Sequence, residues 1–412
     1  MVNRRHNAGI PGFILPACMA WVVWMAVPVL GGPAQVQISQ SSLNPGFTIN
    51  APGSYILTEN LYATSGVAVI TVMTNDVLID LNGHTISAAT NVAHGIRQID
   101  GVARITVKNG SLIGFRVVSN AALHLPGNGS MVQSVRLLGC RESVRAGMDS
   151  LIHDTTIMGI GVLGGGGFGV RAGDHGRIVR VEVKSVQVSG AFTGVEAGER
   201  SVLRQVSVLN CSGGSPFTAI RAGQNSVITE SRAGGNAGGT FVTGITAGSN
   251  SVIRASAADR NSGTFLAVGI SLVGPGVVAD SRALHQAGGG ISAGPGAVVV
   301  DNLAHSNALV GITLDGSSIA FRNVMSMNGF GAGGIGGIAA VQPGNVMDNN
   351  VAIGNARGIQ LTSGNNLVIG NRTSANSVTN IAIIGAPNHV GLRRNVTTSG
   401  FVERNGMGNI NY

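Results

Sequence analysis

The chain has 412 residues, 64 of them glycine, about double the usual share, while aromatic residues make up only 4% and charged residues only 11%. With 44% apolar residues and a mean hydropathy of +0.31 it is too apolar for a disordered chain, and it has too few long side chains for a helix bundle. Its net charge of +8 rests almost entirely on arginine, since Lys108 and Lys184 are the only lysines, and glycine lacks the every-third spacing of collagen. What remains is an all-β or repeat architecture with a core of Val, Ile, Ala and Leu.

At the N-terminus, Arg4, Arg5 and His6 precede an uncharged run from Phe13 to Leu30, and Gly32-Pro33-Ala34 offers small residues for cleavage after Ala34. This three-part layout predicts a secretory signal peptide over 1–34 and an exported chain: secreted, periplasmic or at the cell surface. The rival is an uncleaved anchor, because 18 apolar residues just suffice to span a bilayer, although Pro16 and Pro28 make a poor helix. After cleavage no stable membrane insertion is expected. Removing Arg4 and Arg5 from the 26 basic residues leaves 24 against 18 acidic ones, net +6. Few aromatics and no recognisable module argue against nucleic acid as the partner. Arginine favours flat bidentate contact with carboxylates, so an acidic polysaccharide suits an exported chain better; plain solubility charge is the alternative.

From the middle onward the chain restarts with a small residue followed by Ile or Val. Gly169-Val170, Gly194-Val195, Ala219-Ile220, Gly244-Ile245 and Gly269-Ile270 recur every 25 residues. Gly290-Ile291, Gly311-Ile312, Gly337-Ile338, Gly358-Ile359 and Asn380-Ile381 follow at spacings of 21, 21, 26, 21 and 22. Looser starts stand at Gly95-Ile96, Ala122-Leu123 and Ser143-Val144. Segments such as Gly-Ile-x-Ala alternate with period two, which reads as short strands between Gly- and Asn-rich turns. Each unit of 21–26 residues therefore predicts one coil, stacked on the next about 4.8 Å away by parallel strand pairing. A leucine-rich solenoid has a similar period, but Val, Ile, Ala and Gly fill the places where it needs leucine.

Aligned coils give two polar columns. One reads Asn236, Asn261, Gln286, Asn307, Asn328, Asn355, Asn376, a stacked amide ladder at a position where Asn tolerates a left-handed turn; Cys140, Gln187 and Cys211 fall in it earlier. The other reads Ser231, Ser256, Ser281, Asn302, Asn323, Asn350, Asn371. Both are read as structural. Cys140 and Cys211, three coils apart, lie roughly 14 Å from each other, too far for a disulfide.

These coil starts, the Asn ladder and the string Asp80-Leu81-Asn82-Gly83-His84-Thr85-Ile86, with Gly53-Ser54-Tyr55-Ile56-Leu57-Thr58-Glu59-Asn60-Leu61 before it, resemble the right-handed parallel β-helix of the pectin-lyase-like superfamily, bacterial exported type. The resemblance covers roughly residues 45–390 and implies an all-β, single-stranded solenoid of about 12 coils. The expected organisation is a cap and opening strand over 35–67, the β-helix over 68–390 and a C-terminal tail over 391–412. The superfamily includes lyases, hydrolases, epimerases, phage spikes and adhesins, so fold alone decides no activity.

Members usually bind polysaccharide along one face of the stack, which directs attention to exposed columns. The residue after each inward Ile or Val should point outward: Arg97, His124, Arg145, Arg171, Glu196, Arg221, then Thr246, Ser271, Ser292, Thr313. The first six make a polar band about 24 Å long that would grip the carboxylates of an acidic glycan, or else a surface ladder in which Glu196 pairs with Arg171 and Arg221. A second cluster stacks Asp280 on Asp301, with Arg322 one rung further and His285 and His305 downstream. Two adjacent carboxylates repel, so one pKa rises or a cation sits between them. As acid and base they would serve glycan hydrolysis; with Ca²⁺ and the arginine they would serve a lyase, and no other cofactor is implied. The competing reading is an Asp301–Arg322 salt bridge with Asp280 in a turn.

Specific motifs of enzymatic relatives are missing. There is no Asp-Asp pair with a downstream Gly-His-Gly (Ala93-His94-Gly95 is a fragment), no Arg-x-Pro-x-x-Arg beside an acid cluster and no Asp-Pro-His-Glu. Serine-nucleophile, phosphate-loop and zinc patterns are absent too. The glycine runs at 164–167 and 329–337 read as loops leaving the stack. The leading expectation is an exported protein binding acidic polysaccharide at its basic face. A polysaccharide lyase or glycoside hydrolase comes second and a structural envelope protein third; the oligomeric state, monomer included, is left open.

Overall fold

The computed structural model describes residues 35–43, 46–89, 91–117, 120–159, 162–163, 165–330, 335–391, 393–395 and 409–411. The expected signal peptide over 1–34 and most of the tail over 391–412 lie outside the described residues. The described chain is a right-handed parallel β-helix. Its strands form one 28-stranded and one 15-stranded sheet, here called the long and the short sheet, with a two-stranded pairing of Val162–Leu163 and Gln187–Val188 beside them. Among the described residues the sole helical element is the 3-10 turn Gln40–Ser42.

The repeat reading fixes the register of the short sheet to the residue. Ile96 pairs with Leu123, Leu123 with Val144 and Val144 with Val170. The column continues through Val195, Ile220, Ile245, Ile270, Ile291, Ile312, Ile338, Ile359 and Ile381. All are buried in one continuous apolar core. Stacking already begins inside 35–67, where Val36–Ile38 pairs with Gly53–Leu57 and Phe47–Ile49 with Ala68–Val72, while Leu43 and Phe47 pack against the end of the core.

Each coil turns the long sheet by residues in the left-handed conformation. In one coil these are Asn225 (φ 56°), Glu230 (φ 52°) and Gly235 (φ 63°). A buried ladder residue follows each bend: Ser226, Ser231 and Asn236. The bend thus falls one residue before the ladder asparagine and not on it, so bends tolerate Arg260, His285, Ser306, Met327 and Ala375. The side chain that must enter the core is the amide, and the bending residue points elsewhere.

Both expected ladders form. The backbone N–H of most members donates to the side-chain oxygen of the member one coil on, as from Asn307 to Asn328 Oδ1 at 3.0 Å and from Asn328 to Asn355 Oδ1 at 2.9 Å. The amide Nδ2 atoms run the same way, Asn307 to Asn328 at 2.9 Å. The second column passes from Ser281 to Asn302 Oδ1 at 2.9 Å and from Asn302 to Asn323 Oδ1 at 3.0 Å. A third ladder, hidden in the sequence by Gly276 and Ala297, links Ser201, Ser226 and Ser251, then Ser318, Asn345, Asn366 and Asn388. The cysteine column needs one correction: Val186, buried, holds the place between Cys140 and Cys211, whereas Gln187 is exposed and pairs with Ser212. Both cysteines are buried and free.

Replacing Asn328 by Ala would strand the buried Asn307 N–H and one of the two Asn307 amide N–H groups, the other staying on the Ala283 carbonyl, and would remove the amide donor to the Ala304 carbonyl. Each unsatisfied group costs about 1–3 kcal/mol. Asn328→Ala should therefore lower the urea midpoint by an amount equivalent to about 3 kcal/mol, against at most about 0.5 kcal/mol for the surface change Thr246→Ala. Equal midpoints for the two variants would contradict a stabilising ladder.

Candidate functional site

The short sheet carries an irregularity that shapes its outer face. A Cβ placed on Gly95 would lie 3.1 Å from Phe115 Cζ, and one on Gly169 would lie 3.1 Å from the Val183 methyls, so the residue before each buried Ile or Val also faces the core. Two successive inward positions break the alternation. The residues on either side of them, three apart in sequence, then share the outer face.

The first outer column is the expected one. Arg97 pairs with His124, His124 with Arg145, Arg145 with Arg171, Arg171 with Glu196 and Glu196 with Arg221. The second column reads His94, Ala121, Glu142, Phe168, Thr193, Thr218, Thr243. The two meet. The His94 and His124 rings are 5.0 Å apart at a tilt of 36°. Arg145 reaches Glu142 Oε2 at 3.2 Å, and the Arg145 and Arg171 guanidiniums lie 5.2 and 4.5 Å from the Phe168 ring centroid. Alongside, Arg141 donates from Nε to the Gly166 carbonyl at 2.9 Å.

This end of the band is enclosed: His94 is 5% exposed and Glu142 7%. Burial lowers the His94 pKa, even though its Nδ1 sits 2.7 Å from the Ala121 carbonyl. Burial pushes His124 down to about 4, and His94, Arg145 and Arg97 act in the same direction. Burial raises Glu142 above the usual carboxylate value, against the pull of Arg145, Arg171 and Arg141. Two nitrogens here, His124 Nδ1 and Arg145 Nε, are buried without a hydrogen-bond partner among the described residues. Arg97 has no ion-pair partner among them either. Unsatisfied buried nitrogens beside perturbed titrating groups make this end of the band the candidate site.

At the other end of the band the ladder alternative is realised in geometry. Glu196 accepts from Arg171 Nε at 2.7 Å and lies 3.9 Å from Arg221. The sequence reading missed His94, Glu142 and Phe168 because strict alternation puts them inside. The usable signal was their spacing, each exactly three residues before Arg97, Arg145 or Arg171.

The second expected cluster is different in kind. Asp280 and Asp301 stack at left-handed bends on adjacent rungs, but they turn to different arginines. Arg254 Nε donates to Asp280 at 2.8 Å, and Arg322 holds Asp301 with two bonds of 2.8 and 2.6 Å. Arg322 also holds the Asp301 carboxyl below its ordinary pKa. These side chains are substantially exposed. His285 and His305 turn to Asp259 and Ser326. With each carboxylate engaged by a guanidinium, the pair does not fit a shared Ca²⁺ or a shared proton. Among the described residues no cluster of three or more His, Cys, Asp or Glu suits a metal ion, and no helix is long and apolar enough to cross a membrane.

No protein-family model and no curated protein matches the sequence. Solved structures do. The chain is similar to the A-module of a mannuronan C-5 epimerase from Azotobacter vinelandii, at 13% identity over 85% of this chain and 91% of that one, with a TM-score of 0.40. It is similar to a periplasmic alginate epimerase at 11% identity, covering 86% and 84%, TM-score 0.34. It is also similar to the catalytic unit of a thermostable α-1,3-glucanase from Streptomyces thermodiastaticus at 14% identity, covering 87% and 70%, TM-score 0.37. Likeness at this level says nothing about the chemistry of the band, which rests on its own geometry.

The histidine burial predicts a pH dependence. The unfolded His124 takes up a proton near pH 6.5 and the folded one only near about 4, so between these values unfolding binds a proton. Stability should be complete above about pH 6.5 and fall as pH drops toward 4. His124→Gln should flatten this part of a melting-temperature-versus-pH curve; an unchanged slope would show that the ring is solvated in the folded state.

Proposed function

We propose that the chain binds an acidic polysaccharide along the outer face of its short sheet. The observation that carries this reading is the set of under-used cations at the enclosed end. Arg145 has a buried Nε with no partner, and Arg97, two rungs away in the same register, has no ion pair. The other free arginines on the surface, such as Arg232 and Arg282, are exposed and need no partner beyond water. A half-buried guanidinium with an unused N–H, whose one carboxylate neighbour Glu142 is itself of raised pKa, is costly unless a further carboxylate completes it. Stacked cations at about 4.8 Å per rung suit a polyanion running along the helix axis. Export through the N-terminal segment belongs to the same reading.

Each charge-assisted contact is worth about 1.5–3 kcal/mol, so the double variant Arg97→Ala/Arg145→Ala should lose about 3 kcal/mol or more, some hundredfold in affinity for a polyuronate. Calorimetric titration in low and moderate salt measures this, and binding to a neutral glucan should not change. Retained affinity would remove the enclosed arginines from the binding site.

A second reading, catalysis, is favoured by one specific observation: two neutral imidazoles and a carboxyl of raised pKa lie beside the same arginines. His124 Nδ1 is enclosed, leaving Nε2 for a ligand. A neutral imidazole there would take the proton from the carbon bearing a uronate carboxylate, whose negative charge Arg97 or Arg145 offsets. The electron pair forms a carbon–carbon double bond, and the glycosidic oxygen on the adjacent carbon leaves with the Glu142 proton. A positioned base contributes about 10²–10⁴-fold. His124→Ala should therefore cut the release of unsaturated chain ends by at least about a hundredfold, with affinity nearly kept. A wild-type protein that binds polyuronates and releases no new ends reduces the function to binding.

A further inference from the structure

Resting on that reading of the band, we infer that the same outer face holds an aromatic subsite beyond its cationic part, formed by Phe241 and Phe265, which stacks the apolar ring face of a sugar further along the same polymer.

The register puts the two regions on one surface. Phe241 and Thr243 lie two apart on a strand and both point outward, with Val242 buried between them. Thr243 continues the column of Thr218 and Thr193. Phe241 pairs across to Leu266, the neighbour of Phe265. In a chain with only 4% aromatic residues, Phe265 is 74% exposed and Phe241 48%. Their rings meet edge to face, 5.7 Å apart at 74°. The platform is held in place: the Phe265 and Leu266 N–H groups donate to the Thr240 carbonyl at 3.2 and 3.1 Å, and Thr264 donates to Gly239.

The occupant follows from size and surroundings. A fully exposed Phe offers about 200 Å², so the pair presents about 250 Å², well short of the roughly 800 Å² per partner of a stable protein interface. It matches one or two pyranose faces. Leading up to the platform the outer face carries hydroxyls, Thr193 and Thr218 in one column beside Glu196 and Arg221 in the other, and Thr243, Thr246 and Ser271 on the platform's own rungs. Uncharged hydroxyls suit sugar hydroxyls. From the rung of Arg97 to that of Phe241 there are six steps, about 29 Å. A sugar residue in an extended chain advances by a similar step, so both regions are filled only by an oligomer of about seven units or more. The second contact is then intramolecular and multiplies affinity without new charge.

The test is a length series of uronate oligomers titrated into the full chain. Wild type should bind a ten-unit oligomer at least about tenfold more tightly than a four-unit one. Phe241→Ala/Phe265→Ala should erase that gain and leave the four-unit affinity untouched, which also shows that the variant is folded. Phe265→Trp should keep the gain. Equal affinities for the two lengths in wild type, or an undiminished gain in the alanine pair, overturns the aromatic subsite while the arginine site stands. No binding of either length overturns both, and the Arg97→Ala/Arg145→Ala variant separates these cases because it weakens both lengths alike.

Discussion

From Gly176 onward the stack depends on one repeated hydrogen bond: a backbone N–H just past a left-handed bend donates to the side-chain oxygen of the residue one coil further on. The bend leaves that N–H pointing up the stack and out of reach of the regular strand ladder. A buried N–H without a partner is expensive, so a Ser or Asn oxygen at that one position of the next coil holds the two coils in register. A slip by one residue would lose the bond and exchange core and surface faces together. That is why coils of 21, 25 or 27 residues still stack without drift in their columns, as across Asn323 and Asn350, which are 27 apart. Insertions go into the connecting turns.

This constraint explains what could be read from sequence. Where the ladder residue and the following Ile or Val are both present, alignment of coils gives true spatial neighbours, so the column from Arg97 to Thr313 was readable residue by residue. The second outer column was not, because period-two reasoning assumes one inward residue at a time. At Gly95-Ile96 and Gly169-Val170 two successive positions face the core, so His94 and Phe168 come out on the same side as Arg97 and Arg171. The Asp280–Asp301 stack was read correctly as a stack. The Asp301–Arg322 salt bridge was legible in the same column, whereas the partner of Asp280, Arg254, stands one position outside that column, where a count of spacings does not look.

The charge distribution separates scaffold from site. At the left-handed bends, acids and arginines of adjacent rungs neutralise each other in series: Asp76 with Arg104, Asp154 with Arg180, Glu230 with Arg204, Asp280 with Arg254, Asp301 with Arg322. These pairs are exposed and screened by solvent, and they leave no charge seeking a partner. The enclosed end of the short sheet does the reverse. Its one enclosed carboxylate, Glu142, has a raised pKa and is a weak counter-ion, while its arginines are drawn into a partly dehydrated surface and pull the two histidines toward the neutral form. This excess of cation is what the proposed anionic ligand would offset.

The same glycine that allows the core to close also builds this surface. A side chain at Gly194 would meet the Val208 methyls at 2.6 and 2.9 Å, and one at Gly244 would lie 2.5 Å from the Gly269 carbonyl oxygen. Only a small residue lets the backbone sit that close to the opposite wall, glycine at most coils and the buried Ala122, Ser143 and Ala219 at others, and from there the next residue also points inward. With both inside, the flanking residues share the outside, which turns one row of side chains into a two-column face. The two columns therefore continue past the arginines and on to Thr243 and Phe241. Their chemistry at any rung is set by two free surface positions, while the glycine and the buried aliphatic between them answer to the core.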